Sequence, residues 1–255
     1  MKEKSRVKRM FVLDGGSFLY DTGMMMMGRG MGEKQRIITP FFAFETGEGW
    51  MLYDTGWSPG ALPVLKALEM APEISEENTA VNQLDQIGVR PGDVSAVIVS
   101  HLHVDHAGGI PFFPDARILV QKDEFAYAMA PNAFQAHAYD RNVTRLSGAG
   151  WELLEGDRVI IPGITAMMAA GHTPGLQALV VELPSGRFVI LGSDSVYLMN
   201  SIETGHPPGN VWNTVSAQYA ISRFKALQSM LDARFFPGHD AGFYRNHVTF
   251  GTAYE

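Results

Sequence analysis

Cysteine is absent from this sequence of 255 residues. Its absence excludes disulfide bonds and thiolate metal ligands, so a metal site would have to be built from histidine and carboxylate side chains. Long hydrophobic runs are also lacking, because no stretch approaches the ~18 consecutive apolar residues that a membrane-spanning helix needs. We therefore expect a cytoplasmic protein that has no membrane partner.

Positive charge is scarce as well. The chain has 20 Lys and Arg residues against 27 Asp and Glu residues, which gives a formal net charge of −7. Proteins that bind nucleic acids meet the backbone phosphates with clustered Lys and Arg side chains. The charge balance thus argues against a nucleic-acid partner.

Short apolar runs alternate with turns and helical patterns along the chain, and no linker or repeat divides them. We therefore expect residues 1–255 to form a single domain of the α/β class, with sheets covered by helices. The pattern predicts strands at 10–13, 18–20, 37–44, 50–53, 96–99, 118–120, 159–161, 164–168, 178–183, 188–191 and 234–236. It predicts helices from Ser58 to about Met70, from Ser75 to Gly88 and from Asn213 to Leu231.

Histidine and aspartate side chains follow four of the predicted strands. The strand at 96–99 leads into SHLHVDHAGG, residues 100–109, and the strands at 164–168, 188–191 and 234–236 lead into His172, Asp194 and His239. Neutral imidazole and carboxylate are the ligands left to zinc-like ions when thiolate is absent. An isolated His-x-His pair would be interpreted as ordinary loop histidines, but this whole set predicts a metal site.

The number of donors predicts two ions, because a binuclear site needs seven or eight of them. We expect His101 and His103 to converge on one ion, which His172 would complete. Asp105 and His106 would turn toward the other, which His239 would complete, with Asp194 bridging both. The full predicted ligand set is His101, His103, Asp105, His106, His172, Asp194 and His239. His137, His206 and His247 lie outside the pattern and are interpreted as surface or core residues.

These motifs resemble those of the metallo-β-lactamase superfamily. The resemblance implies an αββα sandwich, in which two mixed β-sheets lie back to back with helices on the outer faces. Within the superfamily the likeness is to the N-acyl-homoserine lactonases, which carry a tyrosine three residues after the bridging aspartate, as in Asp194-Ser-Val-Tyr197 here. One position departs from the pattern: Leu176 stands where many members have a second histidine, which is not a ligand.

The resemblance implies a quorum-quenching hydrolase that opens the lactone ring of N-acyl-homoserine lactones. Its cofactors would be two divalent metal ions, with zinc expected and Fe, Co or Mn as alternatives. Metal-activated water would attack the lactone carbonyl, the Tyr197 hydroxyl would help to hold the oxyanion, and Asp105 would pass a proton to the leaving alkoxide. Asp54 would either orient a ligand histidine or cap its own Asp-Thr-Gly turn.

Two other functions stay open at this point. One is a different hydrolase of the same fold, acting on a thioester, another lactone or a phosphodiester, because the fold hosts all of these reactions. The other is a non-catalytic metal or redox module. The sequence fixes neither the metal nor the acyl-chain preference.

A run of methionines, Met24–Met27, is flanked by Gly23 and Gly28 and is predicted to be a loop. Flexible methionine side chains suit a pocket that accepts acyl chains of different lengths. The expected substrate-binding residues are therefore Met24, Met25, Met26, Met27, Val104 and Tyr197, with Phe42 and Phe44 as weaker candidates. Alternatively the methionines fill gaps in the core or pack against a second subunit, so a homodimer stays open.

Overall fold

The computed structural model describes residues 7–144 and 150–255. Within them the strands are β1 (Val7–Asp21), β2 (Lys34–Thr46), β3 (Gly49–Tyr53), β4 (Val94–Ile98), β5 (Arg117–Gln121), β6 (Gly150–Leu154), β7 (Arg158–Ile161), β8 (Ile164–Met168), β9 (Gln177–Glu182), β10 (Phe188–Leu191), β11 (Arg234–Phe236) and β12 (Ala253–Tyr254). The α-helices are α1 (Thr22–Met25), α2 (Leu62–Ala67), α3 (Ala80–Gln86), α4 (Val104–Ala107), α5 (Lys122–Met129), α6 (Arg141–Thr144), α7 (Met199–Thr204), α8 (Thr214–Leu231) and α9 (Ala241–His247).

The described strands form two mixed sheets. The first has the order β12-β1-β2-β3-β4-β5-β6 and the second the order β11-β10-β9-β8-β7. In the first sheet β3, β4, β5 and β6 run parallel to one another, whereas β1 and β2 pair antiparallel. In the second sheet β8 and β10 flank β9 antiparallel, and β11 runs parallel to β10. The strands β8, β10 and β11 therefore all end at the same edge.

Side chains that alternate along the strands form three apolar layers. One lies between the two sheets, and one covers the outer face of each sheet. In β4, Ala96 and Ile98 face the layer shared with the second sheet, whereas Val97 faces the layer that includes Leu84 of α3. Successive side chains of a strand point to opposite faces, so a strand buried on both faces is apolar throughout. The second sheet packs its outer face on α8 through residues such as Phe224. This arrangement confirms the predicted αββα sandwich.

The predicted helices are found, but two of them are shorter. Asn213 caps α8 as expected, accepting a hydrogen bond from Ser216 N at 3.0 Å. The helix expected from Ser58 is a 3₁₀ turn followed by α2, which ends at Ala67, and the Ser58 side chain makes no capping bond. The helix expected from Ser75 is interrupted, because Thr79 caps a separate α3.

The sequence pattern missed several short elements, including β6, β12 and α5. It was also wrong about the methionine run, since Met24 and Met25 belong to α1. Asp21 caps this single turn by accepting a hydrogen bond from Gly23 N at 2.7 Å. In the described part of the chain, no helix combines the length and the apolar character needed to cross a membrane.

Candidate metal centre

All seven predicted ligands meet at one edge of the sandwich. His101, His103, Asp105 and His106 follow β4 of the first sheet, and the others follow β8, β10 and β11 of the second. The segment after β4 turns into α4 with His103 at its N-cap, and Asp105 and His106 lie within this short helix. The six ligands other than Asp105 are at most 4% exposed.

The carboxylate of Asp194 lies in the middle of the cluster. Its Oδ1 is 3.0 Å from Nε2 of His106 and 2.8 Å from Nε2 of His239. Its Oδ2 is 3.4 Å from Nε2 of His172 and 4.0 Å from Nε2 of His101. The two oxygens of one carboxylate thus face two different groups of histidines.

Each group is completed by a further donor. Nδ1 of His103 lies 3.0 Å from Nε2 of His172, so His101, His103 and His172 converge on one point. Oδ2 of Asp105 lies 3.6 Å from Nε2 of His106 and 3.9 Å from Nε2 of His239. These two groups are the ones that the sequence predicts, and Asp194 stands between them.

The far side of four histidine rings is held by oxygen atoms. Nδ1 of His172 donates to Asn210 O at 2.7 Å, and Nδ1 of His239 donates to Ile38 O at 2.6 Å. Nδ1 of His106 lies 2.8 Å from Oδ2 of Asp54, and Nδ1 of His101 lies 3.0 Å from Oγ of Ser100. A carbonyl oxygen can only accept, so in neutral His172 and His239 the Nε2 lone pair faces the cluster.

Some buried nitrogens at the centre of the cluster make no hydrogen bond within the described part of the chain. Among the described residues, Nε2 of His101 and Nε2 of His106 find no hydrogen-bond partner of suitable geometry. A buried polar atom without a partner is costly, and it calls for an explanation such as a bound ion. Inward lone pairs backed by outward hydrogen bonds are also how proteins orient histidine ligands. The donor set therefore fits a divalent metal ion.

The protonation states of the cluster residues also suit a divalent metal ion. Burial lowers the pKa of His101, His103 and His172, which keeps these imidazoles neutral and able to coordinate. Burial alone would raise the pKa of Asp194, but the surrounding histidines outweigh it and hold this pKa well below its ordinary range. Asp194 is therefore a carboxylate, which is the form that binds cations.

The Asp54 carboxylate holds two residues of the site, Ser100 and His106. Its Oδ1 accepts from Ser100 N at 2.6 Å and its Oδ2 accepts from Ser100 Oγ at 2.8 Å, while Oδ2 also holds His106. Asp54 has a backbone φ of 64°, a left-handed conformation that aspartate and asparagine tolerate better than most residues. Of the two roles considered for Asp54, the contacts are those of a residue that orients a ligand histidine.

Glu124 connects the loop that carries His101 and His103 with the loop that carries His172. This buried carboxylate on α5 accepts from Leu102 N at 3.0 Å, from Tyr139 Oη at 3.1 Å and from Gly175 N at 3.4 Å. Leu102 lies between two ligands, and Gly175 follows His172 by three residues. A Cβ at Gly175 would run into the backbone nitrogen of Glu124, so only glycine allows this approach. One side chain thus fixes the relative position of both loops.

A cavity of about 320 Å³ opens beside the cluster. The donor cluster contributes Asp105, Asp194 and His239 to one wall of the cavity. The lining also includes Tyr197 and Val104. Its other wall is largely apolar and comes from β1 and the region of α2: Phe18, Tyr20, Trp57, Val64, Leu65, Leu68 and Met70.

The predicted pocket residues occupy different places. Met24 lines the cavity and is 40% exposed, whereas Met25 and Met26 are buried. Met25 packs among Phe18, Trp57 and Tyr197, behind the cavity wall. Met27 is partly exposed and its backbone N donates to Pro207 O at 2.9 Å. Phe42 and Phe44 belong to the layer between the sheets, so the sequence assigned these two wrongly.

The comparison with known families decides the classification. The family model of the metallo-beta-lactamase superfamily matches residues 35–239, which include all seven donors. The chain belongs to the metallo-β-lactamase superfamily.

Relatives within the superfamily match nearly the whole chain. An N-acyl homoserine lactonase, AttM, from Rhizobium radiobacter is 29% identical, over 93% of this chain and 95% of its own. N-acyl homoserine lactonase AiiA from Bacillus thuringiensis subsp. kurstaki is 27% identical, over 92% and 94%. A solved N-acyl homoserine lactone hydrolase with N-hexanoyl-L-homoserine at its catalytic metal centre has a TM-score of 0.88 at 27% identity, covering 97% of this chain and 99% of its own.

Leu176, the departure from the superfamily pattern, lies away from the donors. Its side chain is fully buried in the layer between the second sheet and α8. Its backbone O accepts from Ala169 N at 2.7 Å, which closes the loop that carries His172. A leucine suits this apolar layer, and the metal cluster loses no donor by the exchange.

Sequence reasoning missed several residues of this superfamily member's site. Ser100, Glu124 and Asn210 support ligands through hydrogen bonds, and Tyr20 lines the cavity. The position of Tyr20 could have been found from the sequence, because residues 18 and 20 of a predicted strand point to the same face and both are aromatic. Asn210 gave none, since its contact with His172 depends on how a distant loop packs.

Proposed function

We propose that this protein hydrolyses the lactone ring of N-acyl homoserine lactones. The observation that carries the proposal is the junction of the donor cluster with a cavity whose opposite wall is apolar. A polar reacting ring and an apolar acyl chain need these two surfaces side by side. The named activities of the relatives that match over nine-tenths of the chain support the same substrate class.

We assign two divalent metal ions to the cluster. His101, His103 and His172 would hold one ion, Asp105, His106 and His239 the other, and Asp194 would contribute one oxygen to each. Zinc is the expected metal, and Fe, Co or Mn suit the same nitrogen and oxygen donors. When bound, such ions polarise a carbonyl group and lower the pKa of water to near neutrality.

In the proposed reaction, Tyr197 would hold the oxygen of the reacting carbonyl. Its ring lies between His172 and His239, at centroid distances of 5.8 Å and 5.0 Å. Burial, followed by the charge of Asp194, raises the pKa of Tyr197 well above its ordinary value, so the phenol keeps its proton at neutral pH. A fixed, protonated phenol in a dry site is a good donor to a developing oxyanion.

In the proposed reaction, Asp105 would move a proton during ring opening. It is the most exposed member of the cluster, with 15% of its side chain accessible, and it lines the cavity. Opening of the ring leaves an alkoxide that must gain a proton. A carboxylate at the boundary between the cluster and the cavity can take the proton that the attacking water releases and deliver it to that oxygen.

The acyl chain would lie along the apolar wall. Val104 borders the donors, and Met24 stands at an exposed part of the lining. Leu65 and Met70 extend this wall from the region of α2. An apolar wall of this kind accepts chains of several lengths, because each further methylene gains only a small, similar amount of free energy.

Product analysis tests the proposal directly. Purified protein incubated with N-hexanoyl homoserine lactone should yield the ring-opened acyl homoserine, identified by mass spectrometry as the addition of one water. A panel with a thioester, bis-p-nitrophenyl phosphate and a β-lactam should be turned over much more slowly. Preference for any of these would replace the lactonase assignment, and the Asp194→Asn variant controls for contaminating hydrolases.

We also propose assignments for nucleic-acid binding, cellular location and oligomeric state. The net charge of −7 supports a protein without a nucleic-acid partner. The absence of cysteine supports a cytoplasmic location. A homodimer is retained as the alternative in which the chain segment around the methionine run meets a second copy.

A further inference from the structure

Tyr20 is a second phenol in the cavity wall, and the reaction outlined above leaves it unused. It lies near the end of β1, where its ring stacks on that of Tyr197 with centroids 6.3 Å apart and an angle of 19° between the planes. Phe18 packs against this ring in a T-shaped arrangement, with the centroids 5.9 Å apart. The Tyr20 ring therefore contacts both a site residue and the apolar wall.

The Tyr20 hydroxyl has a fixed position, and no acceptor among residues 7–144 and 150–255 takes its proton. Asn210 donates to it from Nδ2 at 3.2 Å, which occupies an acceptor position of the phenol oxygen. Asn210 is itself fixed, because its backbone N donates to Met24 O at 2.8 Å and its backbone O accepts from His172. The proton of the Tyr20 hydroxyl thus stays available to an acceptor in the cavity.

The ionisation of Tyr20 is consistent with a donor role. Burial, and then the charges of Asp194 and Asp105, raise the pKa of Tyr20 far above its ordinary value. The phenol is therefore protonated throughout the neutral range.

We propose that Tyr20 is a specificity-determining residue that donates a hydrogen bond to the amide carbonyl of the N-acyl chain. This inference rests on the proposed function. In an N-acyl homoserine lactone, one nitrogen and one carbon separate the amide carbonyl from the lactone carbonyl. Tyr197 lies beside the donors, Tyr20 lies one ring further away, and Phe18 begins the apolar wall. This order follows the order of lactone, amide and acyl chain in the substrate.

Such a bond would act on substrate binding. The amide group takes no part in ring opening, so the bond is equally strong in the ground state and in the transition state, and its loss raises KM while kcat stays nearly constant. A lactone without an amide cannot use the bond. Tyr20 would therefore favour N-acyl homoserine lactones over simple alkyl lactones.

The test compares Tyr20→Phe with the unchanged enzyme on two substrates, N-octanoyl homoserine lactone and γ-decalactone, which has an alkyl chain but no amide. We expect kcat/KM for the acyl homoserine lactone to fall about 3- to 10-fold, mainly through KM. The values for γ-decalactone should stay within about twofold. Tyr219→Phe, which removes a 67% exposed phenol on α8, serves as the matched control.

A second variant guards against a folding defect in the first. Asn210→Ala removes the group that holds the Tyr20 hydroxyl, and we expect the same selective loss with a smaller magnitude. In the double variant the two losses should not add, because both act through one hydroxyl. Thermal unfolding of each variant verifies that the fold is retained.

Two outcomes would overturn the inference. If both variants change the two substrates equally or not at all, Tyr20 is a packing residue, while the lactonase assignment stands. If the unchanged enzyme opens γ-decalactone but no N-acyl homoserine lactone, the proposed function itself is wrong, and the role of Tyr20 falls with it.

Discussion

Oδ2 of Asp54 lies 2.8 Å from Nδ1 of His106, and both side chains are buried. Removing the charge of this partner should weaken metal binding about 10- to 100-fold, because His106 loses the group that orients it. Asp54→Asn is the suitable change, since asparagine tolerates the backbone φ of 64°. Metal affinity would be measured by competition with a chelator. Asp232→Asn, at another left-handed but exposed position, should leave the affinity unchanged.

The ligand assignment predicts the metal content of the protein. Elemental analysis of active enzyme should find close to two ions per chain, and prolonged treatment with a chelator should abolish turnover until metal is restored. His101→Ala and Asp194→Asn should lower the metal content, whereas His247→Ala, which removes an exposed histidine on α9, should not. Fully active protein with one ion per chain would refute the binuclear assignment.

Tyr197→Phe should lower kcat about 10- to 1,000-fold while the metal content stays the same. The phenyl ring preserves the packing between His172 and His239 but cannot donate to the oxyanion. A metal that shares the oxyanion charge would favour the lower end of this range. Steady-state kinetics with the metal content verified give the answer, and unchanged kcat would make Tyr197 a packing residue.

Met24 and Met25 are neighbours with different expected roles. Met24→Ser should reduce kcat/KM for long-chain lactones more than for short-chain ones, because Met24 lines the cavity. Met25→Ser should instead lower the free energy of unfolding by about 2–5 kcal/mol, because Met25 is completely buried. A chain-length series and urea unfolding separate these effects. Equal behaviour of the two variants would contradict the assignment.

Glu124→Ala should destabilise the protein by about 2 kcal/mol or more, since the buried donors Leu102 N and Tyr139 Oη lose their acceptor. Metal affinity should fall as well, because both ligand loops rest on this carboxylate. Glu124→Gln keeps one acceptor oxygen and should lose less of both. Asp123→Asn, on the exposed neighbour in α5, provides the control for unfolding and for metal binding.

The sequence allowed the cluster of histidine and aspartate donors to be predicted because strand ends carry positional information. His172, Asp194 and His239 each follow a strand of the second sheet whose carboxyl end lies at one edge, so a pattern along the chain became a cluster in space. The strands themselves were predictable because they are apolar on both faces. β6 was missed since much of it is exposed, and β12 since it has two residues.

Contacts between distant segments could not be predicted in the same way. The segment ending at Asn210 meets β1 at Tyr20 and the ligand loop at His172, and no local pattern encodes either contact. The methionine run showed the same limit. Its composition indicated an apolar environment, but the turn that Asp21 caps determines which side chain faces the cavity and which faces the core.

The position of Asp194 between histidines of both sheets would couple metal binding to the stability of the fold. His106 follows a strand of one sheet and His239 a strand of the other, so a metal ion held by these residues would link the two sheets at this edge of the sandwich. A ligand that binds the folded state alone reduces the population of unfolded chains. Because degradation in cells draws on that population, metal supply would set how much of this enzyme accumulates as well as how fast each molecule works.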